Sequence, residues 1–491
     1  MRDRSGRAAA ALVAAVTLLH VGYAGLLALS PQEAYYWQYA RHLAWSYYDH
    51  PPLAAWTIRA ATEVFGHSER AIRLAAAFHS AVFSAFFFLA SRRLFGPRPA
   101  LLALVAGFLV PLFTLGQVII TPDGPLLSGW AMALYFTVRA LDEEEPRWLL
   151  AAGAGAGWAM LGKYTGGLLL PQILAVLVAD PRGRRMLRTA WPWLGAALAL
   201  VLFSPVVIWN LDHGLSSFAF QTAGRAQGAR FQPALVGRFL ALQAGLVTPV
   251  LLVLAVEAVV ASLRRRAEPA FRVVLLFSAP LLLLATAISP FHWVKGNWLA
   301  AAWPTAMAGA AALALERPRG WRWWTGVAGL AVAALATVYL HLVPVVPSVP
   351  FPARDEGSAG WRELAERARA ERASIGPDAP VIGCGYKVAS ELAYYLPGRP
   401  ETQSVGLFGE NGLAYDEWLD WERLSGREAL LVRDGREKGG CTSRAEVCRP
   451  LVPLEPLTPM RGGAKVTTFE LWRCRLPVEP PPRMRVPRTR P

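Results

Sequence analysis

The sequence predicts a polytopic α-helical membrane protein with a compact α/β domain at its C-terminal end. Three observations predict it. Of 491 residues, 54% are hydrophobic and only 17% charged, where soluble chains carry about a quarter charged residues. The apolar residues fall in long runs over residues 8–345, separated by short loops rich in arginine. From residue 346 onward the composition becomes that of an ordinary soluble domain.

A crossing helix needs about 20 apolar residues, fewer inside a bundle. Candidate spans are 8–29, 70–90, 99–119, 124–140, 148–162, 165–179, 190–209, 238–262, 271–289, 297–315 and 323–345, about eleven in all. The two flanking Lys163 are short and glycine-rich. The first run, from Ala8 to Leu29, exceeds a signal-peptide core, and Pro31 follows Ser30 where cleavage is disfavoured, so it reads as a retained helix.

The formal charge of +15 is topological. With a cytoplasmic N-terminus the inner loops begin near Arg2, Arg92, Arg147, Arg182, Arg264 and Arg317, and these hold most of the loop Lys and Arg, as the positive-inside rule requires. An odd number of spans then places the C-terminal domain outside. No basic helix or zinc-finger spacing points to nucleic acid.

Residues 1–345 thus form the membrane domain, with a long first outer loop at 30–69. Residues 346–476 form the outer α/β domain, and 477–491 a Pro/Arg tail expected to be disordered. All four cysteines, Cys384, Cys441, Cys448 and Cys474, lie outside the membrane domain. An oxidising compartment permits two disulfides, with Cys441–Cys448 the easiest local closure. Four free thiols are the other reading.

The outer loops hold the ionisable groups. The first carries Gln32-Glu33-Ala34-Tyr35-Tyr36-Trp37 and then Tyr47-Tyr48-Asp49-His50-Pro51-Pro52-Leu53. Acids at a membrane boundary are costly unless paired or used. The second is the short turn Thr121-Pro122-Asp123-Gly124-Pro125, where Asp123 suits a helix N-cap as well as a site. Lys163-Tyr164 lies between two apolar runs; the lysine either snorkels to the interface or meets an anion. Asp212-His213 opens a further outer loop, and His292, Lys295 and Asn297 share another, facing a substrate phosphate or the lipid headgroups.

Acids ringed by cations suit transfer from a phosphate-linked donor. A carboxylate removes the acceptor proton, and cations or a divalent metal stabilise the departing phosphate. For a metal, the candidate ligands are Asp49, Asp123 and His213.

The first-loop pattern resembles bacterial glycosyltransferase family 39, relatives of the protein O-mannosyltransferases and lipid A aminoarabinose transferases. Gly66, Glu69, Arg73, Thr121–Leu126, Lys163-Tyr164, Asn297-Trp298, Gly385-Tyr386-Lys387 and Ser390–Pro397 extend the likeness along most of the chain. The resemblance implies a C-type architecture and inverting transfer of a sugar from a polyprenyl (undecaprenyl) phosphate to an acceptor outside the bacterial inner membrane, without a nucleotide cofactor. It implies Glu33, Asp49 and Asp123 as catalytic residues. The substrate-binding candidates are Tyr35, Tyr36, His50, Lys163, Tyr164 and Asn297, which lie in the resembling motifs, together with His292 and Lys295 from the outer turn before Asn297. Members of the family usually carry Asp-Glu where this chain reads Gln32-Glu33. An amide takes no proton at neutral pH, which makes Glu33 the first candidate for the base. A lipid or sugar transporter, and a lipid-binding protein without chemistry, are the rival classes.

Overall fold

The computed structural model describes residues 4–224, 230–437, 439, 441, 444–482 and 484. A helix occupies each of the eleven predicted stretches. In order they begin with α1 (Arg4–Ala24), the loop helices α2 (Pro31–Arg41) and α3 (Leu53–Phe65), α4 (Glu69–Phe95), α5 (Pro97–Leu109) and α6 (Pro111–Val118). Then come α7 (Asp123–Glu143), α8 (Trp148–Gly162), α9 (Leu169–Ala179), α10 (Pro181–Met186), α11 (Trp191–Asp212) and α12 (Ser216–Ala219). The membrane part closes with α13 (Ala234–Val247), α14 (Pro249–Arg264), α15 (Pro269–Ile288), α16 (Trp303–Glu316) and α17 (Trp321–Leu342).

Five helices, α1, α4, α11, α15 and α17, are long and apolar enough to cross a membrane singly. Two bent pairs raise the number to seven: α5–α6, turned by 67° at Pro111, and α13–α14, turned by 103° at Thr248-Pro249. A proline at the first helical position starts a helix readily but cannot continue the previous one, because it lacks the amide hydrogen. The short glycine-rich α8 is explained by its packing. A Cβ on Gly153 would overlap the backbone of Gly195 in α11, so the two helices touch backbone to backbone there.

The outer domain holds α18 (Trp361–Ile375), β1 (Val381–Gly383), α19 (Tyr386–Tyr395), β2 (Thr402–Gln403) and β3 (Glu428–Asp434). It ends with β4 (Leu451–Pro453), the two-residue strands β5 (Met460–Arg461) and β6 (Ala464–Lys465), and β7 (Phe469–Arg475). The main sheet runs β2-β1-β3-β7-β4; β1 is parallel to β2 and β3, and β7 is antiparallel to β3 and β4. Its central strands are buried, with Leu430, Leu431 and Val432 at 0% exposure.

The cysteines pair as Cys384–Cys441 and Cys448–Cys474. The local Cys441–Cys448 closure is thereby corrected: Cys441 is drawn to the end of β1 and Cys448 to β7, so sheet neighbours outrank sequence neighbours. In the 477–491 tail, Pro477 and Val478 are hydrogen-bonded to the 421–426 segment, while 483 and 485–491 lie outside the described residues.

Helix α2 docks the two parts together. Its Gln38 amide donates to Tyr415 at 3.1 Å, and Trp37 packs edge-on against Tyr394 of α19 with ring centres 5.0 Å apart.

Candidate active site

Helix α2 has two working faces, set by helical spacing. Ser30 precedes it, Pro31 opens it, and the Glu33 carboxylate reaches back to the Ser30 amide at 3.0 Å and hydroxyl at 3.1 Å. This is the capping-box arrangement that fixes a helix start. One face carries Glu33 and Trp37 away from the loop; the other carries Gln32, Tyr35 and Tyr39 toward Asp49.

Glu33 is 0% exposed and gripped by Arg73 of α4. Arg73 Nε and Nη2 each donate to one carboxylate oxygen at 2.8 Å, and the guanidinium also donates to the carbonyls of Ala24, Leu27 and Ala28 at 2.7, 2.9 and 2.8 Å. Both oxygens of Glu33 are therefore spent. The structure makes it the clasp between α1, α2 and α4, and this corrects its expected place as the base. Sequence spacing hid the partner, which lies 40 positions away.

Asp49 sits in a tight turn, closed by the Tyr47 amide donating to the His50 carbonyl at 3.1 Å and ended by Pro51-Pro52. It is 7% exposed. The hydroxyls of Tyr35, at 3.1 Å, and of Tyr39 both donate to its Oδ1. Burial, and then the adjacent Asp49 charge, push both phenols well above their ordinary pKa, so they remain donors. Oδ2 points toward His50, whose Nε2 is 3.9 Å away. The His50 ring stands edge-on to Tyr36 at 5.9 Å. The Gln221 amide donates to the Asp49 carbonyl at 2.5 Å, a contact from a distant loop that no sequence signal announced. The outer domain closes this cage: the Ala414 amide donates to the Tyr35 hydroxyl at 3.1 Å.

Asp123 is the first residue of α7 and 8% exposed. There the helix dipole favours a negative charge. Lys163 donates to Oδ1 at 2.8 Å and Asn297 to Oδ2 at 2.5 Å. Pro122, not Asp123, holds the N-cap position and no side-chain cap bond forms, so the capping expectation is corrected: the carboxylate is taken by Lys163 and Asn297. Asp123 and Asn297 stand at the edge of a cavity of about 270 Å³, otherwise lined largely by apolar side chains such as Phe83, Leu112, Phe113 and Leu246. Tyr164, adjacent to Lys163 in sequence, hydrogen-bonds Ser217 at 2.6 Å.

His292 is half-buried and Lys295 exposed in the turn whose Asn297 reaches Asp123. His213 stacks on Trp209 with ring centres 4.0 Å apart, its Nδ1 lies 2.7 Å from the Trp209 carbonyl oxygen, and its Nε2 is 3.9 Å from Glu417. Among the described residues no group of three or more His, Cys, Asp and Glu gathers to hold a metal. Asp49, Asp123 and His213 therefore do not form the anticipated metal set, each being engaged by other side chains.

Comparison with known proteins fits this geometry. Residues 49–209, which include Asp49, Asp123 and Lys163, match the family profile described as dolichyl-phosphate-mannose-protein mannosyltransferase. A lipid A galacturonosyltransferase, RgtD, of Rhizobium johnstonii is 27% identical over 317 residues. The chain is thus similar, over about a third of its length, to that mannosyltransferase family. The RgtD alignment takes in 63% of this chain and 66% of the relative's length. The fold is that of ArnT from Cupriavidus metallidurans. Against its apo structure the TM-score is 0.65 at 18% identity, covering 94% of this chain and 97% of that one. Against the same protein bound to undecaprenyl phosphate it is 0.63 at 19% identity, covering 96% and 98%. The likeness extends through the outer domain, so the cap over the first loop is part of the fold shared with ArnT.

Proposed function

We propose that this enzyme moves a sugar from a polyprenyl-phosphate carrier to a hydroxyl of a lipid-anchored saccharide outside the bacterial inner membrane, with Asp49 as the proton acceptor. One observation carries the reading. A Lys163–Asp123–Asn297 cluster stands at the lip of an apolar cavity, in a chain whose first loop also holds a carboxylate between two phenol donors. That is an amphipathic site, suited to a donor whose phosphate joins a sugar to a hydrocarbon chain.

The tyrosines hold Asp49 through Oδ1, and its carboxylate takes the acceptor proton. The acceptor oxygen forms its bond to the anomeric carbon as the bond from that carbon to the phosphate oxygen breaks, and the carrier phosphate keeps the electron pair. Attack from the opposite face inverts the anomeric centre. Lys163 offsets the charge of the departing phosphate, and Asp123 with Asn297 keeps its ammonium group in place. The first isoprene units of the carrier lie in the cavity. No step is routed through a metal, because the candidate ligands do not converge.

The arginine-rich loops support a cytoplasmic N-terminus. Two disulfides in the outer domain support an oxidising compartment on the other side. The relative that acts on lipid A supports a lipid A-type acceptor, and ArnT bound to undecaprenyl phosphate supports that carrier.

The test is transfer by the full-length protein in nanodiscs. It is offered undecaprenyl phosphate bearing galacturonic acid, glucose or 4-aminoarabinose, with lipid A as acceptor and mass spectrometry as the readout. Loss of donor with gain of one sugar on lipid A supports the reading. Intact donors throughout, with wild-type protein that still binds undecaprenyl phosphate, would assign a carrier-binding role instead.

A further inference from the structure

Gln32 projects from the α2 face that carries Tyr35 and Tyr39. Its amide nitrogen donates to the hydroxyl of Tyr386 at 2.8 Å. Tyr386 belongs to the outer domain, as the first residue of α19, and its ring lies 4.6 Å from that of Tyr35. A phenol oxygen that accepts the amide hydrogen still has its own hydrogen to give. Burial, aided by the nearby Asp49 and Glu437 charges, pushes the phenol above its ordinary range, so the hydrogen stays. Among the described residues no acceptor takes it, and none donates to the Gln32 carbonyl oxygen.

A donor and an acceptor, both unused, therefore stand side by side next to the Asp49 cage. An alcohol matches both at once, giving its hydrogen to Gln32 and taking one from Tyr386. A phosphate or carboxylate oxygen would set its lone pairs against those of the Gln32 carbonyl. An ammonium group has no lone pair for the Tyr386 hydrogen.

Tyr386 is also held firmly. Cys384, two residues earlier, is tied to Cys441. Gly385 runs so close to Glu437 that a side chain there would collide with the carboxylate, and Lys387 pairs with Glu437 at 3.4 Å. Ser390, one turn on, shares a hydrogen bond of 3.0 Å with Tyr415, which accepts from Gln38 of α2. The hydroxyl is thus positioned from both sides of the domain boundary.

We infer that Gln32 and Tyr386 together bind a sugar hydroxyl, which makes the outer domain part of the substrate site and the pair a specificity determinant. The inference rests on the glycosyl-transfer reading. The hydroxyl belongs either to the transferred sugar or to the acceptor saccharide, and the kinetics separate the two.

Transfer is measured in nanodiscs with the undecaprenyl-phosphate sugar that turns over and lipid A, each varied at saturating levels of the other. Tyr386→Phe and Gln32→Met should each raise one KM about tenfold, the scale of one neutral hydrogen bond, and leave kcat and the other KM within about twofold. A raised donor KM with unchanged binding of bare undecaprenyl phosphate places the hydroxyl on the transferred sugar; a raised acceptor KM places it on lipid A. Wild-type protein should lose the same factor on one deoxy analogue of that substrate, and Tyr386→Phe should lose nothing further on it. Unaltered kinetics in both variants, or a Tyr386→Phe loss that multiplies with that of every deoxy analogue, would overturn the inference while leaving glycosyl transfer intact. A wild-type protein that transfers none of these sugars would remove both.

Discussion

Arg73 holds Glu33 by both carboxylate oxygens, each at 2.8 Å, and adds three backbone carbonyls of the α1–α2 connection to the same guanidinium. An acid in this setting is structural first. Removing one member of a buried ion pair leaves the other charge uncompensated, at a cost of about 3–5 kcal/mol. Arg73→Ala and Glu33→Gln should therefore lower the thermal midpoint of the purified protein, and activity should fall in step with it. A Glu33→Gln protein that melts like wild type and yet makes no product would return Glu33 to the role of base.

Asp49→Asn should behave in the opposite way. The amide keeps the shape and leaves the fold intact, but accepts no proton, so kcat should fall by about 10²–10⁴. Tyr39→Phe removes one donor to the ionised carboxylate, a bond of about 1.5–3 kcal/mol. Losing a hydrogen bond to the charged form favours the protonated form. The acidic limb of the pH–rate profile should then move to higher pH in Tyr39→Phe. A profile unmoved by that change would detach Asp49 from the proton transfer.

Lys163→Gln should weaken binding of undecaprenyl phosphate by about 10–100-fold, the worth of one charge-assisted hydrogen bond. Binding is read as the ligand-induced rise in thermal midpoint, which scales with affinity. Asp123→Asn should cost less in binding than Lys163→Gln, because it releases the lysine instead of removing it. Equal affinities in wild type and Lys163→Gln would place the carrier phosphate elsewhere.

The two disulfides close segments of 57 and 26 residues in sequence separation. Loop-closure entropy makes the longer one worth roughly 4 kcal/mol to the outer domain. Because Cys384 lies next to the Gly385-Tyr386 corner over the first loop, reduction should reduce transfer as well as stability. Cys384→Ser/Cys441→Ser protein, assayed with Cys448–Cys474 intact, should show both losses. Unchanged transfer in that protein would separate the cap from catalysis.

The sequence carried the helices well because apolar run length is a local property. Proline breaks at Pro111 and Pro249 were visible as residues, but their angles of 67° and 103° depend on what each half packs against. Asp49, Asp123 and Lys163 were legible as charges in apolar surroundings. Glu33 was misjudged because a capping acid and a catalytic acid look alike at a helix start, and only the arrival of Arg73 from α4 decides between them. Tyr39, Gln221 and Tyr386 were missed as site residues for a related reason. A tyrosine in an aromatic-rich loop has no distinguishing neighbour in sequence, and the outer-domain contacts join positions more than 350 apart, as Gln32 and Tyr386 do.

Glu391 offers a pH test of the docking between the outer domain and α2. It lies in α19, is 1% exposed, and neither carboxylate oxygen has a hydrogen-bond partner among the described residues. Burial, and then the Glu33 charge, hold its pKa well above the usual carboxylate range; Glu69 acts in the same direction, against Arg436 and Arg73. The folded state thus binds the proton more tightly than the unfolded state. Stability from this group is complete below the unfolded carboxylate pKa of about 4.3 and is lost as pH rises from there through the folded value. Glu391→Gln keeps the shape without the ionisation. The variant should melt higher than wild type at the alkaline end of that range, and its midpoint should depend less on pH, as read by thermal melts from pH 5 to 9. A steeper alkaline loss in Glu391→Gln than in wild type would show that the carboxylate, ionised, is what binds the domain to α2.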